Sequence, residues 1–423
     1  MERTHSRWRK MLGLALGVSL LSISAASAAE LTVWCWDPNF NIPAMKDAGE
    51  RYTKTHPETT FNINNISQDE INQKLQTQLL AGVTDGLPDI VLVQDDNIQR
   101  FLQSFPGAFV PLSDSIDMSK FAQYKVAAAT LDGKSYSLPF DSGVAGLFYR
   151  SDYLEQAGYK PEDLQDITWN KLIEIGKDVL SKTGHQLIDV DFNDDGIIIM
   201  MMQSAGQWYL KNGTEPNILE NPALKQALTT FQELNKAGLV KPISNWTDYT
   251  GAFTSGEIAM VPQGVWITGT IKSVPEQKGK WRVAPMPALD GVDGATHFTN
   301  NGGSSWYVLA SSKNAAEASD FLKTVWAEDV DFYQGILINQ GAVGSLLAAR
   351  EGAAFKASDE FFNGEPVWQN FSDWLAKVPA VDFGTFTPEA RLAVRAQMPG
   401  IASGGNIDDA LKAIDAQLRQ QMQ

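Results

Sequence analysis

The stretch from residue 31 to residue 94 constrains the fold most. Leu31 to Trp36 is a β-rich run, LTVWCW, broken by Asp37-Pro38-Asn39. A helical pattern follows from about Ile42 to Thr55, a second β-like run from Thr60 to Ile66, and another helix from about Gln68 to Ala81. Asp89-Ile-Val-Leu-Val93 is a short apolar strand of the kind parallel sheets bury on both faces. Strand, helix, strand, helix, strand is a βαβ pattern and implies an α/β fold with a mostly parallel sheet. Ligands of such sheets bind beyond the carboxyl ends of the strands. That places Trp36, Asp37 and Asp95 at one rim.

The chain has 423 residues, and single hydrophobic cores stop growing near ~250–300 residues. No Pro/Gly/Ser-rich linker and no internal repeat divides it, so two lobes woven from non-contiguous segments are expected. Arg3, Arg7, Arg9 and Lys10 precede an apolar run from Met11 to Ile23, too short to span a bilayer. Ala26-Ser27-Ala28 then supplies a small-x-small cleavage site. Residues 1–28 therefore read as a secretory signal peptide. With no Cys at the cleavage site and no later apolar run of span length, a soluble, exported protein without a membrane anchor is expected. The formal net charge of −16 argues against nucleic acid and anionic membranes as partners. Cys35 is the only cysteine, so there is no disulfide framework, and its apolar setting predicts a buried, inert thiol.

Ser255 to Thr270, SGEIAMVPQGVWITGT, reads as a short apolar strand that stops at Pro262-Gln263-Gly264, because Pro removes a backbone donor and Gly permits unusual dihedrals. Trp266 follows. A flat ring just beyond a strand end either packs a core or lines a cleft, where it suits the apolar face of a sugar. Trp208, in Gln207-Trp208-Tyr209, has the same two readings. Later helical patterns include Ile197 to Gln203, Pro222 to Lys236, Gly251 to Gly256 and a mostly helical tail from Pro388.

Familiar catalytic chemistry is missing. His5, His56, His185 and His297 are scattered, and no HExxH, paired Cys, P-loop or G-x-S-x-G elbow occurs. No catalytic residue, resident metal or cofactor is predicted. A carboxylate pair for glycoside hydrolysis stays open, because acidic residues are plentiful. Asp191-x-Asn193-x-Asp195-Gly196 matches the first half of a calcium loop, but Met202 stands where the bidentate Glu belongs. A solvated turn is expected there.

Three places carry a family resemblance. They are Pro139-Phe-Asp-x-x-x-x-Gly146-Leu-Phe-Tyr149, Gly256-x-x-Ala-Met260-x-x-x-Gly264-x-Trp266, and Gly302-Gly303 with a strand, followed by Glu317-Ala-x-x-Phe321-Leu322. In this order and spacing the chain resembles the extracellular solute-binding proteins of family 1, the sugar receptors of ABC importers. One departure is Arg150, where the family usually has Asn or Asp. The runs TVWCWDPNFN, FDSG, MQSAGQWY, GVWITGTIK and GGSSWYVL look most like lactose-binding receptors, with receptors for arabinose-type sugars as neighbours.

The resemblance implies a two-lobed periplasmic-binding-protein fold, type II-like, with hinge-connected lobes around a ligand cleft. The first lobe is expected at 30–139 plus 299–345, the second at 140–298 plus 346–423. It implies a periplasmic monomer that delivers a mono- or disaccharide to permease subunits. Trp266 matches the ring that stacks on sugar. Asp95 is expected to accept sugar hydroxyls, with Asp96 as fallback. Asp141 either contacts ligand or holds a hinge turn. Trp36, Asp37 and Trp208 line the cleft or pack. Gly302 and Gly303 let backbone amides approach the sugar or make a turn. Arg350 joins them or remains a surface charge. The rival reading is a secreted glycoside-active enzyme.

Overall fold

The computed structural model describes residues 29–38 and 40–423. The expected signal peptide lies outside the described residues. Ten strands position the site: β1 Glu30–Cys35, β2 Thr60–Asn65, β3 Ile90–Gln94, β4 Leu138–Pro139, β5 Ala145–Arg150, β6 Ile188–Asp191, β7 Val240–Ile243, β8 Met260–Gly264, β9 Trp281–Ala284 and β10 Ser304–Val308. The first sheet has the order β2-β1-β3-β10-β4. Its first three strands are parallel, and β10 runs against both β3 and β4.

The second sheet repeats this plan. β7 and β6 are parallel, and β5 runs antiparallel between β8 and β9. The amides of Ala259 and Met260 donate to the carbonyls of Gln186 and Leu187, which sets the β6 segment parallel beside β8. The order is then β7-β6-β8-β5-β9. In each sheet the single inverted strand follows directly on a segment that has crossed from the other lobe. β5 follows the crossing at 140–144, and β10 follows the crossing at 299–303.

These crossings are bonded to each other. The Ser142 amide donates to Val343, Ala145 to Thr299 and Asn301 to Gly143, at 2.7–2.9 Å. The segment around 343–345 is bonded to the first crossing as well, with the Ser345 amide donating to the carbonyl of Phe140. Gln334, on the helix Val330–Gln340, donates to the carbonyl of Ala349 and accepts from the amide of Ala354.

Asp95 and Asp141, expected in the ligand site, are instead buried where the first sheet meets the hinge. The Lys125 ammonium, fully buried, lies 2.5 Å from Asp95 Oδ2 and donates to the Ser304 carbonyl at 2.7 Å. Ser305 Oγ donates to Asp95 Oδ1. Asp141 Oδ1 accepts from both the amide and the hydroxyl of Ser304. Gly303, at φ 94, lies so close that a Cβ there would meet Asp95 Oδ2 at 3.0 Å. These two carboxylates therefore fix the start of β10.

A second correction concerns Pro262. The strand does not stop there, because β8 continues to Gly264. The Ala259 carbonyl accepts from the Arg150 amide of β5 and the Val265 amide donates to the carbonyl of Val144, just ahead of β5, whereas the Met260 amide points the other way, to Leu187. By alternation Pro262 also points away from β5, so its missing N–H removes no bond from that ladder. Cys35 is buried as expected, and burial pushes its thiol up to about 12.

Removing one member of a buried ion pair leaves the other charge uncompensated, which costs ~3–5 kcal/mol. Lys125→Met is expected to lower stability by about that amount, read by chemical denaturation. Adding Asp95→Asn to Lys125→Met should recover part of the loss, since the stranded charge is then gone.

Candidate functional site

A cleft of about 770 Å³ opens between the two sheets. One wall is aromatic. Asn245 caps the helix Trp246–Thr254 by accepting from the Asp248 amide at 2.9 Å. The helix presents Trp246 and Tyr249 to the cleft. Trp266, in the turn after β8, stands beside them, its ring centroid 5.9 Å from that of Trp246 and tilted by 35°. Trp266 Nε1 donates to the Asn301 carbonyl at 2.8 Å. Gly264 makes this possible, because a Cβ there would sit 2.7 Å from the same carbonyl oxygen. Trp246 is 56% exposed, so its face is open to a ligand.

The opposite wall is polar and comes from the first lobe. The helix Gln68–Ala81 is capped by Ser67 and closed by Gly82 in the left-handed conformation. Ile71 and Leu75 of this helix face the core, while Gln68, Asn72 and Gln76 form a stripe along the cleft. Gln94 at the end of β3, with Asp96 and Asn97 just beyond it, extends that wall, and Asn300, Asn301 and Gly302 of the hinge lie between the walls. Neutral amides carry donors and acceptors together. Facing a pair of rings, they suit a ligand with apolar faces and hydroxylated edges.

At one end, charged pairs join the lobes. Arg391, on the helix Thr387–Ala402, reaches Asp96 at 2.7 Å and Asp195 at 2.9 Å. Arg395 also pairs with Asp195, and Arg100 of the first lobe pairs with Glu389 at 3.2 Å. Thr385 Oγ1 donates to Gln103 Oε1 at 2.6 Å. The loop Asp191–Gly196 belongs to this cluster. Asp191 accepts from the Asn193 amide, a turn bond, but Asp195 is wholly buried against the arginines rather than solvated.

Of the residues singled out in the sequence, Trp266, Trp208, Gly302 and the fallback Asp96 line the cleft. Trp208 does so from a core position, 3% exposed, with Nε1 donating to Thr387 Oγ1 and its ring edge-on to Phe383. Asp95, Asp141 and Gly303 sit behind the cleft, in the hinge network described above. Trp36 and Asp37 follow β1 at intermediate exposure and are not among the lining residues; their amides share the Asn41 side chain. Arg350 donates to the Ser372 carbonyl, away from the cleft.

The sequence reading passed over Trp246, Tyr249, Gln263, Asn301, Arg391 and Asp189. The aromatic pair at i and i+3 behind an Asn-x-x-Asp cap was a usable signal. Asp189 carried none. It is 4% exposed, it lines the cleft from β6, and neither carboxylate oxygen has a hydrogen-bond partner. Burial pushes its carboxyl up to about 7, against the opposing charge of Lys241 on the paired strand.

Two sheets of type II order, a hinge of crossing segments and a cleft between the lobes define a two-lobed binding protein. The comparisons with known proteins agree. The chain belongs to the bacterial extracellular solute-binding proteins, whose family profile matches residues 47–363. It is 53% identical to the lactose-binding protein of Rhizobium radiobacter over 423 residues, all of both chains. It is 26% identical over 317 residues to the arabinooligosaccharide-binding protein of Bacillus subtilis (strain 168), spanning 71% of this chain and 70% of that one. A crystal structure of an extracellular solute-binding protein of family 1 shares the fold at TM-score 0.80 and 22% identity, over 93% of this chain and 100% of that one. Among the described residues no helix is long and apolar enough to cross a membrane.

Asp189 generates a test on the protein without ligand. Its folded pKa lies above the unfolded carboxylate value of ~3.9. The folded chain therefore keeps a proton the unfolded chain has released. Its contribution to stability is fully present below the unfolded value and is lost as pH rises through about 7. Asp189→Asn should melt with the parent near pH ~4 and increasingly above it towards pH ~8. A gap that does not widen with pH would mean that Asp189 is charged and compensated.

Proposed function

We propose that this protein is a sugar receptor of an ABC importer, and that its cleft takes a neutral mono- or disaccharide of the lactose type. The observation that carries the reading is the pair of tryptophan faces, Trp246 and Trp266, set across an interlobe cleft from a stripe of neutral amides. The whole-length likeness to a lactose-binding protein supports lactose as the first ligand to test. The two rings are tilted, so successive units of a disaccharide each find a face. The moving bodies are residues 30–139 with 299–345, joined by the packed segment 346–356, and residues 140–298 with the rest of the chain. They close over the sugar about the hinge. The protein acts as a periplasmic monomer without catalysis, and the closed surface is what the permease subunits read.

Calorimetric titration with lactose, galactose, arabinose and short oligosaccharides tests this reading. Saturable single-site binding is expected. A ligand at a hundredfold excess over its dissociation constant should stabilise the fold by ~2.7 kcal/mol. Release of monosaccharide on incubation with a disaccharide would overturn the receptor reading in favour of a glycoside-active enzyme.

Trp266→Ala should weaken sugar binding at least tenfold, ~1.4 kcal/mol, while the ligand-free melting temperature moves little. A core Trp would instead cost ~3–5 kcal/mol of stability. Trp246→Ala should weaken binding in the same titration, with an even smaller effect on melting. Parent-like affinity in Trp266→Ala together with a large drop in melting temperature would make that ring structural.

A further inference from the structure

The two asparagines of the crossing at 299–303 are used differently. Asn300 is buried and committed at both ends of its amide. Its Oδ1 accepts from the Tyr124 hydroxyl at 3.0 Å, and its Nδ2 donates to the Gly302 carbonyl at 2.6 Å. Asn301 is half-buried and lines the cleft. Its main-chain amide donates to Gly143, its carbonyl accepts from Trp266 Nε1, and its Nδ2 donates to Gln263 Oε1 at 2.6 Å. Among the described residues no hydrogen bond engages its Oδ1, and that oxygen is not one of the buried, unpartnered side-chain atoms.

The polarity of this side chain is fixed from outside. The Gly264 amide, a donor only, bonds Gln263 Oε1 at 2.9 Å, which leaves Gln263 Nε2 to donate to the Tyr249 hydroxyl at 3.0 Å. Asn301 must then turn Nδ2 towards Gln263 Oε1, because the flipped amide would set two acceptors against each other. The backbone is held as tightly, since a Cβ on Gly143 or Gly264 would press into the Asn301 carbonyl oxygen. One residue thus anchors the indole of Trp266 by its carbonyl and keeps an unused acceptor of set orientation in the cleft. A sugar on a ring face turns its hydroxyls outwards at the edge, so ring and acceptor address the same unit.

We propose that Asn301 is a specificity-determining residue, with Oδ1 accepting from one edge hydroxyl of the sugar unit that lies on Trp266. This rests on the sugar-receptor reading and narrows it to glycosides whose stacked unit carries that hydroxyl free.

The test titrates the parent, Asn301→Ala and Trp266→Ala, each as the full chain, with lactose and with its monodeoxy and monodeoxyfluoro analogues. On the parent, one position should lose about tenfold in affinity in both analogue forms, because neither hydrogen nor fluorine there can donate. Asn301→Ala should lose about tenfold for lactose and nothing further at that position, while every other position costs it what it costs the parent. A merely structural role would weaken all ligands alike and leave the cost of each position unchanged.

Parent-like lactose affinity in Asn301→Ala, or an undiminished cost at every position, overturns the role of Asn301. If Trp266→Ala is impaired in the same series, the receptor reading stands. A parent that binds no sugar of the screen overturns both. Should Asn301→Ala fail to fold, the analogues on the parent decide. A position at which both forms cost about tenfold supports the proposal, and a flat series, or one in which fluorine restores affinity throughout, overturns it.

Discussion

The buried bond between Lys125 and Asp95 holds the architecture at its critical point. It is short, and it sits where β3 ends and β10 begins. A buried pair of this kind contributes little net stability over a hydrophobic replacement, but breaking it is expensive. Its effect is to fix position. Asp95, Asp141 and Lys125 together grip Ser304 and Ser305, so the chain returning from the second lobe enters the first sheet in one register. Asn300, Asn301 and Gly302, just ahead of that grip, face the ligand cleft. The floor of the site thus inherits its placement from the hinge.

The surface of the cleft is divided between the lobes. Rings stand on one side and amides on the other, so neither lobe presents a complete site. The arginine and aspartate pairs at one end bring the halves together without a ligand, as Asp96 and Arg391 come from different lobes. Affinity then reflects both the contacts with sugar and the energy already spent or gained in bringing the walls together.

Much of the fold was legible in the sequence, and particular residues show where legibility ended. The strands and helices from Leu31 to Gln94 announced themselves through apolar runs of strand and helix period. Asp95 and Asp96 show the limit. Successive side chains near a strand end point to opposite sides, so one acid is buried in the hinge and its neighbour lines the cleft. Nothing in the local sequence tells which parity faces the ligand. Pro262 failed for a related reason: its missing donor mattered only on the side that β5 does not use. Asn and Gln on the polar wall look like any surface residues until the helix from Gln68 is turned towards the cleft. Asp189 sits in an ordinary strand, and only three-dimensional burial makes its lack of a partner informative.

The exchange of inverted strands has a consequence for how such a chain comes into being. A polypeptide appears from its amino end, and β1, β2 and β3 are present early. Their sheet nevertheless keeps an open edge until residues 304–308 arrive to form β10. An unpaired edge invites wrong partners, and long-range pairing of this kind is slow. The second sheet meanwhile can close first, since all its strands lie between residues 145 and 284. Folding order is thus set by topology against chain order: the sheet begun second can be completed first, and the sheet begun first waits for the hinge.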